Sequence, residues 1–288
     1  MLRLLSATCL AVCLCAATLV AAQQLQVPAT ITAGSGFAIP TTGSGTATFY
    51  LVGPSYATKR EVNLGTEIQV SPREVRSAGR YIAILRHDGS SESGSFYVLA
   101  AKPASLSFLA HPSRVPVAQH DGIIGVAFVF DKWHNLVRQP QTVDFRLQAK
   151  DAAAVSQSVR SRDGVAWTLM NSGRKAGNME FIATLGGVEE KRVIQQVASD
   201  PCHLQIKAER NPKGVLVETE PVRDCSGNPV SDGTVVTFTA TDAQGRSTVD
   251  VPVKKDVAQA ELKLAGPATI SVASGVVMGN EVRVGGQP

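Results

Sequence analysis

Five histidines, two cysteines beyond the N-terminal leader and two Asp/Asn pairs are the residues of this chain whose types could do chemistry. The histidines are His87, His111, His120, His134 and His203. None stands in an HExxH pair, and no Gly-x-Ser-x-Gly occurs, so neither a zinc-protease helix nor a nucleophile elbow is present. His120-Asp121 and Trp133-His134 come nearest to an acid–base arrangement, without a third group at a fixed spacing. Gly34-Ser35-Gly36 and Gly43-Ser44-Gly45 match fragments of phosphate loops but lack the Lys and the helix that give such loops their function. No catalytic, cofactor-binding or metal residue is assigned, and no cofactor is expected.

Asp131 with Asn135, and Asp224 with Asn228, offer oxygen to calcium, but two side chains fall far short of the roughly six to eight ligands that calcium takes. A turn is the better account. An Asp side chain accepts from nearby backbone N–H groups, and Asn or Gly takes the left-handed conformation in which a chain reverses. The two copies lie 93 residues apart (131 to 224), and Val137, Val143 and Phe145 recur at the same offset as Val230, Val236 and Phe238. Five identities without a gap mark an internal repeat. At the tip of the first copy stand Trp133 and His134, where the second has Ser226 and Gly227. A tip Trp either meets a partner or folds back on its own domain, and both readings stand; Trp133 and His134 are the candidate interaction pair.

Cys202 and Cys225 form an even pair in an exported chain, which predicts a disulfide. It is expected to pin the first strand of the last domain to the turn at Asp224. Closing such a loop stabilises by about 3 kcal/mol in the chain-entropy model. A metal or redox role would need a CxxC spacing or further ligands nearby.

These residues sit in a chain built for export. Residues 1–22 carry a single charge, Arg3, before an apolar run that ends in small residues, the pattern of a secretory signal peptide cleaved before Gln23. Cys9, Cys13 and Cys15 leave with it. Removing Arg3 leaves 27 basic and 24 acidic residues, a net charge of +3, and the basic residues are scattered. Nothing there fits a nucleic-acid surface. No integral membrane span is expected after cleavage, and residues 282–288 hold no sorting pattern for a covalent surface anchor. The expected location is periplasmic, secreted or cell-surface associated.

The elements that position these groups are strands. Period-two alternation separated by Gly, Pro and Asp runs through 46–52, 67–70, 81–85 and 95–99. It continues at 106–108, 125–130, 143–147, 165–169, 179–183 and 191–194, then at 216–217, 235–240, 261–264, 269–272 and 282–284. Val143, Phe145 and Leu147 should face inward, since the opposite register buries Asp144 and Arg146. One brief helical signal, Ser71-Pro72-Arg73-Glu74, fits a single capped turn. Ala78-Gly79, Ala176-Gly177 and Ala265-Gly266 each precede a late strand, at offsets of 98 (78 to 176) and 89 (176 to 265). Three units follow, 23–101, 102–200 and 201–288, each an all-β sandwich.

Repeats of this length with Asp-x-x-x-Asn-x-Val, then Val-x-Phe, then Ala-Gly before the penultimate strand resemble bacterial immunoglobulin-like domains of the invasin/intimin type. The resemblance is strongest over 102–288; in 23–101 only the corner around Tyr81 carries it. That corner is similar to the one before strand F of immunoglobulin-like domains, which implies that the Tyr81 hydroxyl bonds back to the corner backbone. Ala83 stands where antibody-type domains have a Cys. The resemblance implies tandem immunoglobulin-like β-sandwiches and a non-enzymatic adhesion, interaction or scaffold role, with a protein or polysaccharide partner outside the cytoplasm. Two further readings stay open: a carbohydrate- or polymer-binding module stacking sugars on Trp133 or on Tyr50 and Tyr97, and a periplasmic chaperone or assembly factor donating a sheet edge.

Overall fold

The computed structural model describes residues 25–150, 152–264 and 266–285. The leader at 1–22 and Ala265 of the third Ala-Gly marker lie outside them. Among the described residues there is no helix, and so none long and apolar enough to cross a membrane. The chain divides into two compact units, one ending at Leu99 and one beginning at Ala100.

The first unit holds β1 (Thr30–Thr32), β2 (Phe37–Ile39), β3 (Thr46–Val52), β4 (Ala57–Asn63), β5 (Ile68–Val70), β6 (Gly79–His87) and β7 (Ser90–Leu99). Five of these make one sheet in the order β1-β7-β6-β3-β4, and β2 pairs with β5. Alternation decides which side chains enter the core: Ala47, Phe49 and Leu51 of β3 are buried while Thr46 and Val52 are exposed. The two layers meet where Phe37 of β2 stands edge-on to Phe96 of β7, with centroids 5.0 Å apart. Between β5 and β6 the capping signal makes one turn. The Glu74 carboxylate accepts the Ser71 N–H at 2.8 Å and pairs with Arg60 of β4, and β6 follows without a helix.

The second unit contains two separate hydrophobic cores. Around the first lie β8 (Pro103–His111), β9 (Arg114–Pro116), β10 (Ile123–Asp131), β11 (Thr142–Ala149), β12 (Val155–Arg160), β13 (Val165–Met170), β14 (Gly177–Leu185) and β15 (Val188–Val197). They form a sheet β13-β10-β8 facing a sheet β12-β11-β14-β15-β9. Phe108, Phe145 and Phe181 meet between the layers at 5.0 to 6.0 Å. Each ring is withdrawn from water and contributes about 2–3 kcal/mol by burial. Val143, Phe145 and Leu147 point inward and Asp144 and Arg146 outward.

Around the second core lie β16 (Pro201–Cys202), β17 (Ile206–Asn211), β18 (Gly214–Thr219), β19 (Arg223–Asp224), β20 (Val235–Asp242), β21 (Gly245–Pro252), β22 (Gln259–Leu262), β23 (Ala268–Ser274) and β24 (Val277–Val284). The sheet β17-β18-β22 faces β21-β20-β23-β24, while β16 and β19 pair as a short ladder. Cys202 and Cys225 are joined in a disulfide. The bridge ties that ladder, where Cys202 lies opposite Arg223, to the turn that follows it.

Candidate interaction site

The strand β10 ends at Asp131, and its carboxylate shapes the turn. Asp131 is wholly buried, 0% exposed. Oδ1 accepts the N–H groups of Trp133 at 2.8 Å and Asn135 at 2.9 Å. Oδ2 accepts Ala101 N–H at 2.8 Å and the Asn135 side-chain amide at 2.9 Å. Burial pushes this carboxyl up, but the Asn135 amide and the N–H groups of Ala101, Asn135 and Trp133 outweigh it and hold the group below the ordinary carboxylate range. Both oxygens are thus turned to N–H donors.

Asp224 repeats the arrangement. Its Oδ1 accepts Ser226 N–H at 2.8 Å and Asn228 N–H at 2.9 Å, and its Oδ2 accepts Ser199 N–H at 3.1 Å and the Asn228 amide at 3.0 Å. Here too burial raises the pKa, and bonds from Asn228, Ser199 and Ser226 bring it below its ordinary value. Ala101 and Ser199 lie just ahead of β8 and β16, so each Asp fastens the segment by which the chain arrives at its sandwich.

The left-handed position agrees with the sequence expectation in the second copy, where a Gly takes it, and departs from it in the first. Neither Asn takes it: His134 does so in the first copy (φ 62°) and Gly227 in the second (φ 85°). The Asn side chains are spent on the carboxylate instead, and His is among the residues that tolerate this region. His134 is exposed at the tip. Trp133 beside it is half-buried, with the Lys132 ammonium 4.8 Å from its ring centroid. The turn thereby presents an imidazole and an ammonium beside a half-buried indole whose Nε1 is withdrawn from solvent.

Asn228 does more than close its own turn. Its amide donates to the Arg174 carbonyl at 2.7 Å and its carbonyl accepts Ala176 N–H at 2.9 Å. Arg174 and Ala176 belong to the loop leading into β14 of the preceding sandwich. The Ala-Gly marker and the Asp/Asn turn, two separate repeats in the sequence, are here the two halves of one joint. Sequence reasoning missed this pairing; a signal for it existed, since the Ala-Gly marker recurs in all three units and the Asp/Asn turn in the last two.

Tyr81 lies in the first unit, fully buried and stacked on Phe96 at 5.4 Å. Burial pushes its phenol up, against the pull of the Ser77 backbone and side chain. The hydroxyl thus faces the corner at Ser77, without closing a hydrogen bond of good geometry to it. Tyr50 and Tyr97 share the outer face of the five-stranded sheet, with the Lys59 ammonium 5.9 Å from the Tyr50 ring centroid.

No family model matches the chain, and no curated protein matches it in sequence. Among solved structures it is similar to FdeC, an Escherichia coli adhesin, with a TM-score of 0.62 and 15% identity over 87% of this chain and 91% of that one. More distant likenesses are InvD of Yersinia pseudotuberculosis (TM-score 0.48, 11% identity, 89% of this chain and 94% of that one) and invasin, a bacterial integrin-binding protein (0.47, 11%, 89% and 56%). At these identities the likeness to FdeC is one of fold: tandem immunoglobulin-like β-sandwiches.

Proposed function

We propose that the chain is an exported, non-enzymatic tandem of three immunoglobulin-like β-sandwiches, 23–101, 102–200 and 201–288, acting outside the cytoplasm as an adhesion, interaction or scaffold module. The observation that carries this reading is the likeness to an adhesin over most of both chains, with a TM-score of 0.62. The Cys202–Cys225 disulfide supports the compartment, because such bonds persist where the surroundings are oxidising. The joint around Asn228 supports the role, since a module that presents a surface gains from neighbours that are held rather than swinging. Its contact point on this reading is the turn bearing Lys132, Trp133 and His134, with a protein partner. The test is capture of extracellular proteins on the immobilised mature chain, compared with Trp133→Ala. Binding reduced at least tenfold, with thermal melting unchanged, is the expected result; equal binding by the variant removes the turn from the role.

A second reading is favoured by a specific placement. Tyr50 and Tyr97 lie on one exposed sheet face with Lys59 and Arg80, an arrangement on which sugars could stack. Glycan-array binding that is lost in Tyr97→Ala supports this use of the first unit, and an array without signal dismisses it.

A further inference from the structure

The strand β10 is apolar on both faces. Ile123, Ala127 and Val129 point into the core, as alternation requires, but Ile124, Val126, Phe128 and Phe130 occupy the outward positions where water is expected. Its neighbours continue the pattern. In register with Val126 lie Leu109 of β8 and Trp167 of β13, and in register with Ile124 lie His111 and Leu169. Trp167 is 58% and Leu109 56% exposed. Ser105, Ser107 and Val165 complete the outward set, so none of these side chains is Asp, Glu, Lys or Arg.

The fold does not demand such a face. In the next sandwich the matching sheet carries Lys207, Glu218 and Gln259 in one cross-strand row, and Glu209, Leu216 and Glu261 in the next. Within the same sandwich the opposite sheet is charged outside, with Asp144, Arg146, Glu180 and Lys191 exposed and Lys191 paired to Glu180 at 3.1 Å. Among the described residues, the β13-β10-β8 face joins solvent exposure to a surface without a formal carboxylate, ammonium or guanidinium, its polar groups being Ser105, Ser107 and His111.

We propose that this face is a self-association surface on which a second copy of the chain docks sheet against sheet. Its chemistry selects the occupant. A partner with a charged or strongly polar surface would find only Ser105, Ser107 and His111 to pair its groups, and the desolvation of the rest would go uncompensated. A second copy brings the same uncharged apolar face, and a two-fold axis near Val126 sets each Trp167 against the other copy's strands. Twisted sheets pack in this way inside ordinary sandwiches, with their strands about 30° apart. The size agrees. Residues 124–130 of β10, flanked by β8 along their whole length and by β13 as far as Phe128, span a face of about 24 Å by up to about 14 Å. Side-chain relief raises this to roughly 500 Å² per copy, or about 1,000 Å² for the pair, the lower bound for a specific interface. The expected association is therefore weak and reversible.

Sedimentation velocity of the mature chain over a roughly hundredfold range of concentration tests this. A concentration-dependent monomer–dimer equilibrium is expected, and Leu109→Lys with Trp167→Glu should weaken it at least tenfold. Val193→Glu, at a position 57% exposed on the opposite sheet, should leave it unchanged. Should the double variant not fold, Trp167→Ser removes the ring without adding charge and takes its place. A chain that stays monomeric throughout overturns the proposal, as does a dimer indifferent to these changes. Capture of a different protein on this face by a monomeric chain overturns the choice of a second copy. The inference is independent of the Trp133 turn: dimerisation reads the Trp167 face, whereas partner capture reads Trp133→Ala.

Discussion

Asp131 and Asp224 are buried carboxylates, each held by four N–H donors. An arrangement of this kind is costly to break, because removing the carboxylate leaves several N–H groups without an acceptor where water does not easily reach. Asp224→Ala is expected to lower the stability of the second unit by about 3 kcal/mol in urea denaturation. The pH dependence follows from the sign of the shift. Both carboxyls have folded pKa values below their unfolded ones, so their contribution is full above the unfolded value and is lost as pH falls through the folded value. Stability of the native chain should therefore decline below about pH 4, and Asp224→Ala, lacking one of the two groups, should decline less steeply. Denaturation curves at neutral and acid pH compare the two slopes. Equal slopes would remove Asp224 from the acid response.

Elements were legible where burial makes two faces unlike. The strands β3, β6, β10, β11 and β20 stand where alternation places them, because each sets one row of side chains against a core. The strands β4, β12 and β21 carry no such signal. In β12 nearly every residue is exposed, and in β21 polar side chains occupy both faces, so no period-two signal exists to be read. They are strands because their backbones complete the ladders of β3, β11 and β20. Close packing between elements is equally silent in sequence. Gly53, just beyond β3, lies so near Tyr81 that an added Cβ would stand 2.1 Å from its ring. Gly53→Ala should thus force Tyr81 off Phe96 and lower the stability of the first unit by about 2–3 kcal/mol, measured by thermal melting and by the near-ultraviolet signal of the tyrosines. A variant as stable as the native chain would show that the corner yields.

In the molecule as a whole, the joint within the second unit rests on Asn228. Its partner Arg174 is 54 residues away, and the bond to Ala176 spans 52. Asn228→Ala is expected to speed hydrogen exchange at the Ala176 amide at least tenfold while both sandwich cores keep their protection. Unchanged exchange there would place the strength of the joint elsewhere. The sequence by itself determined the strand class, the turn chemistry, the disulfide and the tandem immunoglobulin-like plan, because each is set by residues near one another in the chain or by a spacing that repeats. Only the tertiary structure decided that the Asp/Asn turn and the Ala-Gly loop meet, that His134 takes the left-handed position, and that Leu109, Val126 and Trp167 line up across three strands on one outer face. Local backbone preference and face alternation act within a few residues. Which remote groups come into hydrogen-bonding range or share a row is settled by how whole sheets pack and register, and no short stretch of the chain carries that information.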